Sequence, residues 1–393
     1  MRVAIVHEGS DPRRGGAETS IVEMAEALSR RGIDVTLVDR GPQDVRYAVK
    51  SGGGAVEPGE FRRVRLPAPG ATKLARLRAF VEAVEAHTRE AKYDIVHAVT
   101  PMRGADVYQP RGGTYPETIR RTLAITRNPL WRGLKSLLRR LNGRQQFLMR
   151  LEREMLLATD GPTVACVSDY VARQIAQDYP AAAGRARVVF NGVSMPREAA
   201  TESSPRTAGS GPRLLFVAHN FRLKGLRELI AAMPRVRAAL PTVRLLVVGR
   251  DRADAYRAQA QRAGVVDAVE FLGSGAAMAT LYRDSDVLVH PTWYDPCSRV
   301  VLEAIVRGLP AVTTAWNGAA DAVRRFDAGA VIDQPTDIAA LAEAIVRTAQ
   351  RGPLSSEVVA AAQSELSMDR HARELVALYE ELINLRQSGR KRR

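Results

Sequence analysis

Cysteine is nearly absent: Cys166 and Cys297 are the two in 393 residues. Two thiols give no disulfide framework. Cys166 sits in an apolar run and reads as core, while Cys297 sits in a motif discussed below. Aromatic residues make up only 5% of the chain, which argues against the stacking platforms that hold single-stranded nucleic acid. No run of about 18 apolar residues occurs, so no transmembrane helix is expected. The opening MRVAIVHEGS reads as a strand. It lacks the apolar stretch and small-residue cleavage site of a secretory signal, and a cytoplasmic protein is expected. Acids are in short supply as well: 43 Asp and Glu against 58 Lys and Arg, for a formal net charge of +15. That balance favours anionic partners such as nucleic acid, acidic lipid or phosphorylated substrates, and the placement of the charge decides among them.

What the chain does have is alternation. VAIV (3–6), DVTLV (34–38), DIVHAV (94–99), TVACVS (163–168) and RVVF (187–190) are short and rich in β-branched residues, with helix-like stretches between. This is the pattern of a parallel sheet with helices on both faces. A polar, small-residue stretch, TESSPRTAGSGP, interrupts it at 201–212 and reads as a linker. The alternation restarts with RLLFVAH (213–219), RLLVVG (244–249), VEFLG (269–273), VLVHP (287–291) and AVTT (311–314). The expected fold is α/β, with two Rossmann-like doubly wound domains over 1–200 and 213–370. A C-terminal helix over 371–393 could return to the first domain, and its QSGRKRR end reads as a solvated basic tail. Ligands of open parallel sheets bind beyond the carboxyl ends of the strands, so a cleft between two such domains is the expected site.

The unusual residues fall just after strands. Gly15 and Gly16 precede a helix that begins near Ala17, where backbone could approach an anion; a plain tight turn reads equally well. In AHNFRLKGLRELI, Arg222 and Lys224 occupy a strand-to-helix turn that Gly225 closes. Two cations at a helix N-terminus oppose its dipole unless an anion joins them, which points to a diphosphate clamp, with two solvated surface cations as the plainer alternative. The most informative stretch is YDPCSRVVLEAIVRGLP (294–310). Asp295 lies in a turn after a buried strand, Ser298 fits an N-cap, and Glu303 follows Asp295 by eight residues. The neighbours of Glu303 are Val300, Val301, Leu302, Ala304 and Ile305, among which an unpaired acid is costly. Two acids facing one hydroxyl-rich ligand, beside cations suited to a diphosphate, describe a nucleotide sugar.

These residues resemble the family 4 glycosyltransferases of the GT-B fold, whose signature is an acid, seven residues, then Glu. Here DPCSRVVLE is D-x7-E, and LKG, VVG, FLG, DVLVHP and GLPAVTT fall in the family's order over nearly the whole chain. ADVYQPRGGTY (105–115) and FLMRLEREM (147–155) resemble the middle segment of lipopolysaccharide core glucosyltransferases of the inner-core type. The resemblance implies retaining transfer of a hexose, glucose first, from a nucleoside diphosphate sugar such as UDP-glucose, with no cofactor and no metal. It assigns Glu303 to the ribose, Asp295 to the donor sugar, and Lys224 with Arg222 to the diphosphate. Backbone at Ser298, Arg299 and Val300 would meet sugar or phosphate, and Gly249, Arg250 and Gly273 would lie by the base. Gly15 and Gly16 would serve the phosphate and acceptor side. This chain departs from the family in three ways: its first acid is Asp, its Phe-Gly is Cys297-Ser298, and the usual His of the first domain has no counterpart. DVYQPRGG offers Asp106, Gln109 and Arg111 instead. Asp106 is therefore the acceptor-side catalytic candidate, with Arg111 beside it.

Between Arg111 and Arg150 stand ten Lys or Arg and one Glu. Within this segment Leu134, Leu137, Leu138 and Leu141 repeat at helical spacing, with Arg132, Lys135 and Arg139 flanking them and Trp131 at one end. Such a helix either packs its leucines into the first domain or docks on anionic lipid at the inner face of the cytoplasmic membrane. A glycolipid acceptor suits the second reading. Transfer to a soluble or polysaccharide acceptor is the alternative; a nucleotide-sugar epimerase on the same fold is another, and it has no use for the segment. No nucleic-acid partner is expected.

Overall fold

The computed structural model describes residues 1–9, 16–40, 59–126, 128–196 and 211–390. Gly15 and residues 201–210 of the expected linker lie outside them. The chain forms two compact units, Met1–Gly192 with Met368–Arg393, and Val193–Ser367.

Unit 1 contains β1 (Arg2–Val6), β2 (Asp34–Arg40), β3 (Arg62–Leu66), β4 (Ile95–Ala98), β5 (Val107–Tyr108), β6 (Thr163–Cys166) and β7 (Ala186–Val188). They form one sheet in the order β3-β2-β1-β4-β5-β6-β7, with every pair parallel. Unit 2 contains β8 (Arg213–Val217), β9 (Arg244–Val248), β10 (Val269–Gly273), β11 (Val287–His290), β12 (Ala311–Thr314) and β13 (Gly329–Ile332). Its order is β10-β9-β8-β11-β12-β13, again all parallel. Both sheets are doubly wound, as the alternation predicts. The winding reverses between β1 and β4 in one sheet and between β8 and β11 in the other. Such switch points are where open sheets leave a crevice at their carboxyl ends.

Burial on both faces explains the unbroken apolar runs. β4, β11 and β12 are buried throughout, and their Val, Ile and Leu pack under helices on either side. Phe216, Leu229, Met233, Val289 and Ile345 centre the core of unit 2. In unit 1, Ile21, Met24 and Leu28 of the helix Gly16–Arg30 pack with Leu375, Leu378 and Tyr379 of the C-terminal helix Met368–Arg390. That helix belongs wholly to unit 1 and includes 387–390, which the sequence reading placed in a solvated tail; 391–393 lie outside the described residues.

Candidate active site

Unit 2 brings most of the expected site residues to its switch point. The loop after β8 carries Asn220, Arg222 and Lys224, and the loop after β11 carries Trp293 to Ser298. The two loops are joined by backbone: Trp293 N–H donates to Leu223 O at 2.9 Å, and Thr292 Oγ1 donates to the same oxygen at 3.2 Å. Gly225 makes their closeness possible. Its φ is +82°, and a Cβ there would lie 2.1 Å from Pro291 O. Gly225→Ala meets both a disfavoured backbone conformation and a backbone clash, so we expect a stability loss of about 2 kcal/mol or more, read in a thermal melt. A third loop closes the group. Asp295 N–H donates to Trp316 O at 3.1 Å, and Gly318 N–H donates to Asp295 O at 2.9 Å, just beyond β12.

Lys224 and Asp295 form a salt bridge. Nζ donates to Asp295 Oδ2 at 2.7 Å and to Tyr294 O at 3.1 Å. The other carboxylate oxygen, Oδ1, accepts the Cys297 N–H at 3.2 Å and shapes the turn. Both side chains are mostly buried, so the attraction is screened less than at an open surface. Sequence reasoning set these two residues on different parts of a ligand and missed that they pair with each other. It also missed His290, the last residue of β11. This imidazole is buried and stacked on Phe216, neither ring nitrogen has a hydrogen-bond partner, and Nε2 lies 3.8 Å from Asp295 Oδ2. Burial, helped by the Lys224 ammonium, lowers its pKa to about 3, so the ring is neutral. Arg222 is exposed and forms no ion pair among the described residues.

Glu303 is neither solvated nor unpaired. It lies on the short helix Arg299–Ile305, where Oε2 accepts the Tyr282 hydroxyl at 2.9 Å and Oε1 accepts Arg299 Nη2 at 3.2 Å. Burial and the neighbouring carboxylate raise the Tyr282 hydroxyl well above its usual pKa and keep it a donor. Asp295 and Glu303 thus have separate partners. Ser298 occupies the N-cap position, but its hydroxyl makes no cap bond; the buried Asn317 side chain accepts its N–H at 3.1 Å instead. Val300 stands half-buried in the first turn. Gly249 directly follows β9, and Gly273 ends β10. Gly249 is packed, since a Cβ would lie 1.9 Å from Ala218 O, whereas Gly273 faces open space at φ +72°. Arg250 beside Gly249 is exposed.

In unit 1, Gly16 is the exposed first residue of its helix. Glu8, just past β1, forms a salt bridge with Arg40 at 3.2 Å and is also bonded by Arg144, while its N–H donates to Thr100 Oγ1 at 3.0 Å. Nothing in the sequence pattern marks this group at the first switch point. Arg111 is half-buried and donates to Gln109 Oε1 and Asn191 Oδ1, each at 2.7 Å, and to Ser20 Oγ. Asp106 requires a correction. It precedes β5, so it lies at the amino ends of the strands, away from the crevice. Its carboxylate accepts the Val96 N–H at 2.7 Å and pairs with Arg386, which ties the C-terminal helix to the sheet. A group committed in that way at that end is structural, not an acceptor-side catalyst.

The basic segment resolves into three helices, Tyr115–Ala124, Pro129–Arg140 and Gly143–Leu157. The middle one buries no residue. Leu130 is 83% exposed, Leu141 75% and Leu137 57%, with Trp131, Leu134 and Leu138 exposed beside them. The leucines therefore do not pack into the core. Three of the cations turn the other way: Arg132 Nε donates to Thr126 O at 3.0 Å, Lys135 Nζ to Thr126 Oγ1 at 3.2 Å, and Arg139 Nη1 to Ile119 O at 3.4 Å. Among the described residues no helix is long and apolar enough to cross a membrane, and no group of three His, Cys, Asp or Glu is placed to hold a metal ion.

Residues 14–197 match Glycosyltransferase Family 4, and residues 211–351 match Glycosyl transferases group 1. The chain is 25% identical over 351 residues to the lipopolysaccharide glucosyltransferase WaaG of Escherichia coli, covering 86% of this chain and 87% of that one. The crystal structure of WaaG aligns with a TM-score of 0.68 at 22% identity, over 98% of this chain and 99% of that one. A phosphatidyl-myo-inositol mannosyltransferase of Mycobacterium leprae is 26% identical over 384 residues, 92% of this chain and 91% of that one. The Anabaena protein HepE, solved in complex with UDP-glucose, aligns with a TM-score of 0.64 at 17% identity, covering 97% of this chain and all of that one. Taken with the two doubly wound units and the D-x7-E loop at the second switch point, these matches show a family 4 glycosyltransferase domain followed by a group 1 glycosyl transferase domain, in the two-domain GT-B fold.

Proposed function

We propose that the protein moves a hexose, glucose first, from UDP or a related nucleoside diphosphate to a membrane glycolipid of the lipopolysaccharide-core type, with retention at the anomeric carbon. In this reading the donor occupies the switch point of unit 2. Lys224, joined by Arg222, neutralises the diphosphate as the bond from its oxygen to the sugar breaks, which is the main electrostatic task of such a transfer. Glu303 accepts from the ribose hydroxyls, oriented by Tyr282 and Arg299. Asp295 serves the donor sugar, the backbone at Ser298, Arg299 and Val300 meets sugar or phosphate, and Gly249, Arg250 and Gly273 border the base. Gly15, Gly16 and Arg111 fall to the acceptor side, in unit 1. The named activities of WaaG, HepE's bound UDP-glucose and the lipid acceptor of the mannosyltransferase all support this choice of substrates.

The observation that carries the glycolipid half is the outward apolar face of the helix Pro129–Arg140. A face of that size is wasted on a soluble acceptor but lies flat at a lipid headgroup boundary, at the cytoplasmic side of a membrane. The donor half is tested by Glu303→Gln. The change keeps the shape and removes the charge from an acceptor, so we expect at least a tenfold loss of UDP affinity, about 1.5 kcal/mol, by calorimetric titration. Wild-type affinity would remove Glu303 from the ribose. We also expect transfer to survive EDTA, with Lys224 doing what a divalent ion does in other transferases; abolition of transfer and its restoration by one added divalent metal would refute that.

A further inference from the structure

Both oxygens of Asp295 are engaged within the protein. Oδ1 holds the Cys297 N–H and Oδ2 holds Lys224 at 2.7 Å. The cation that the proposed function needs at the diphosphate is thus already neutralised. Beside this pair stands an unexplained group. His290 is 2% exposed, and neither ring nitrogen has a hydrogen-bond partner, although Nε2 lies 3.8 Å from the same Asp295 Oδ2. A buried polar atom left without a partner costs free energy, and native structures retain few of them without a reason. The two oddities explain each other if the site has a second arrangement.

We propose that donor binding exchanges partners at Asp295: the diphosphate takes the Lys224 ammonium, and the carboxylate turns to the Nε2–H of His290. The proposal rests on the reading that Lys224 meets the diphosphate. A neutral imidazole has one N–H to give, and Oδ2 needs to move by less than 1 Å to bring 3.8 Å to hydrogen-bond length. Paired with Asp295, Lys224 is withheld and the site does not present an unpaired cation. Once a diphosphate arrives, it would repel a nearby free carboxylate, and the bond to His290 holds that charge back. Each oxygen of Asp295 then keeps one lone pair for a sugar hydroxyl. His290 in this scheme is a positioning residue, acting through Asp295. It also gives a reason for Asp in place of the family's Glu, because the shorter side chain reaches both Lys224 and the end of β11 from one turn.

The test compares UDP with UMP, which lacks the second phosphate, by calorimetry. Neutralising the withholding group in Asp295→Asn should tighten UDP by about fivefold, the worth of a partly buried ion pair, and leave UMP unchanged. Lys224→Met should weaken UDP by about tenfold, and in Lys224→Met/Asp295→Asn the gain should vanish. His290→Phe keeps the stack on Phe216 but removes the waiting donor, so it should weaken UDP about threefold in the wild-type background and not at all with Asn at 295. Matching melting temperatures exclude misfolding. If Lys224→Met leaves UDP affinity unchanged, the diphosphate reading itself fails. If Lys224→Met weakens UDP while Asp295→Asn weakens it too or does nothing, the exchange alone is overturned. Equal losses from His290→Phe in both backgrounds would make His290 a packing residue and overturn its part.

Discussion

Lys224→Ala is expected to lower turnover by about a hundredfold while donor affinity falls no more than about tenfold. The asymmetry follows from where charge develops. A bound diphosphate already carries its charge over several oxygens, and in the proposed reading Lys224 is one of several groups that meet it. As the bond to the sugar breaks, new negative charge gathers on the leaving oxygen, and a preorganised ammonium is worth most at that moment. Preorganisation is visible in the loops themselves, where Tyr294 O holds Nζ in a turn whose backbone Gly225 brings against Pro291. Steady-state kinetics with UDP-glucose separates the two effects. Unchanged turnover would make Lys224 a surface cation.

Replacing Leu134, Leu137, Leu138 and Leu141 with Ser is expected to reduce binding to vesicles by at least a hundredfold, since each leucine returned to water costs about 1 kcal/mol or more. These side chains are exposed, from 43% at Leu134 to 75% at Leu141, and none belongs to the core, so the fold should lose little. Changing Arg132, Lys135, Arg139 and Arg140 to Gln should weaken binding only a few-fold, because three of the four already donate to oxygens of their own unit. Anionic vesicles should still bind better than neutral ones, and salt should narrow the difference. Flotation with phosphatidylglycerol vesicles measures all of this. If no lipid binds at any salt and the protein instead dimerises through these leucines, the membrane drops out of the function and the donor assignments stand.

The long apolar strands and the motif order were legible because their signals are local. A strand buried on both faces reads as a β-branched run, and a loop at a carboxyl end follows it in sequence. Three strands escaped detection. β3, RRVRL, is an edge strand whose arginines pair with Asp34 and Asp39 and so hide any apolar alternation. β5 has only two residues, and β13 is a four-residue edge strand that begins with Gly. The site was legible as a set of residues and not as a set of partners. Spacing put Lys224 and Asp295 after neighbouring strands, but their 2.7 Å contact depends on how two loops seventy-one residues apart meet. Asp106 was misread for the same reason. Its number places it near a strand, yet only the register of β4 with β5 tells which end of the strand it stands at. The Leu stripe was visible, but whether it faced core or solvent needed the neighbouring helices.

The most direct test of the whole reading supplies purified protein with a panel of nucleotide sugars and vesicles bearing a lipopolysaccharide-core glycolipid, and follows both donor loss and acceptor mass. The account predicts that UDP-glucose is consumed in preference to the others, that the glycolipid gains one hexose in the same anomeric configuration as the donor, and that Lys224→Ala and the four-leucine variant both fail, the first with any acceptor and the second only at membranes. Transfer that proceeds equally well to a soluble sugar and ignores the vesicles, or no consumption of any nucleotide sugar, would contradict it.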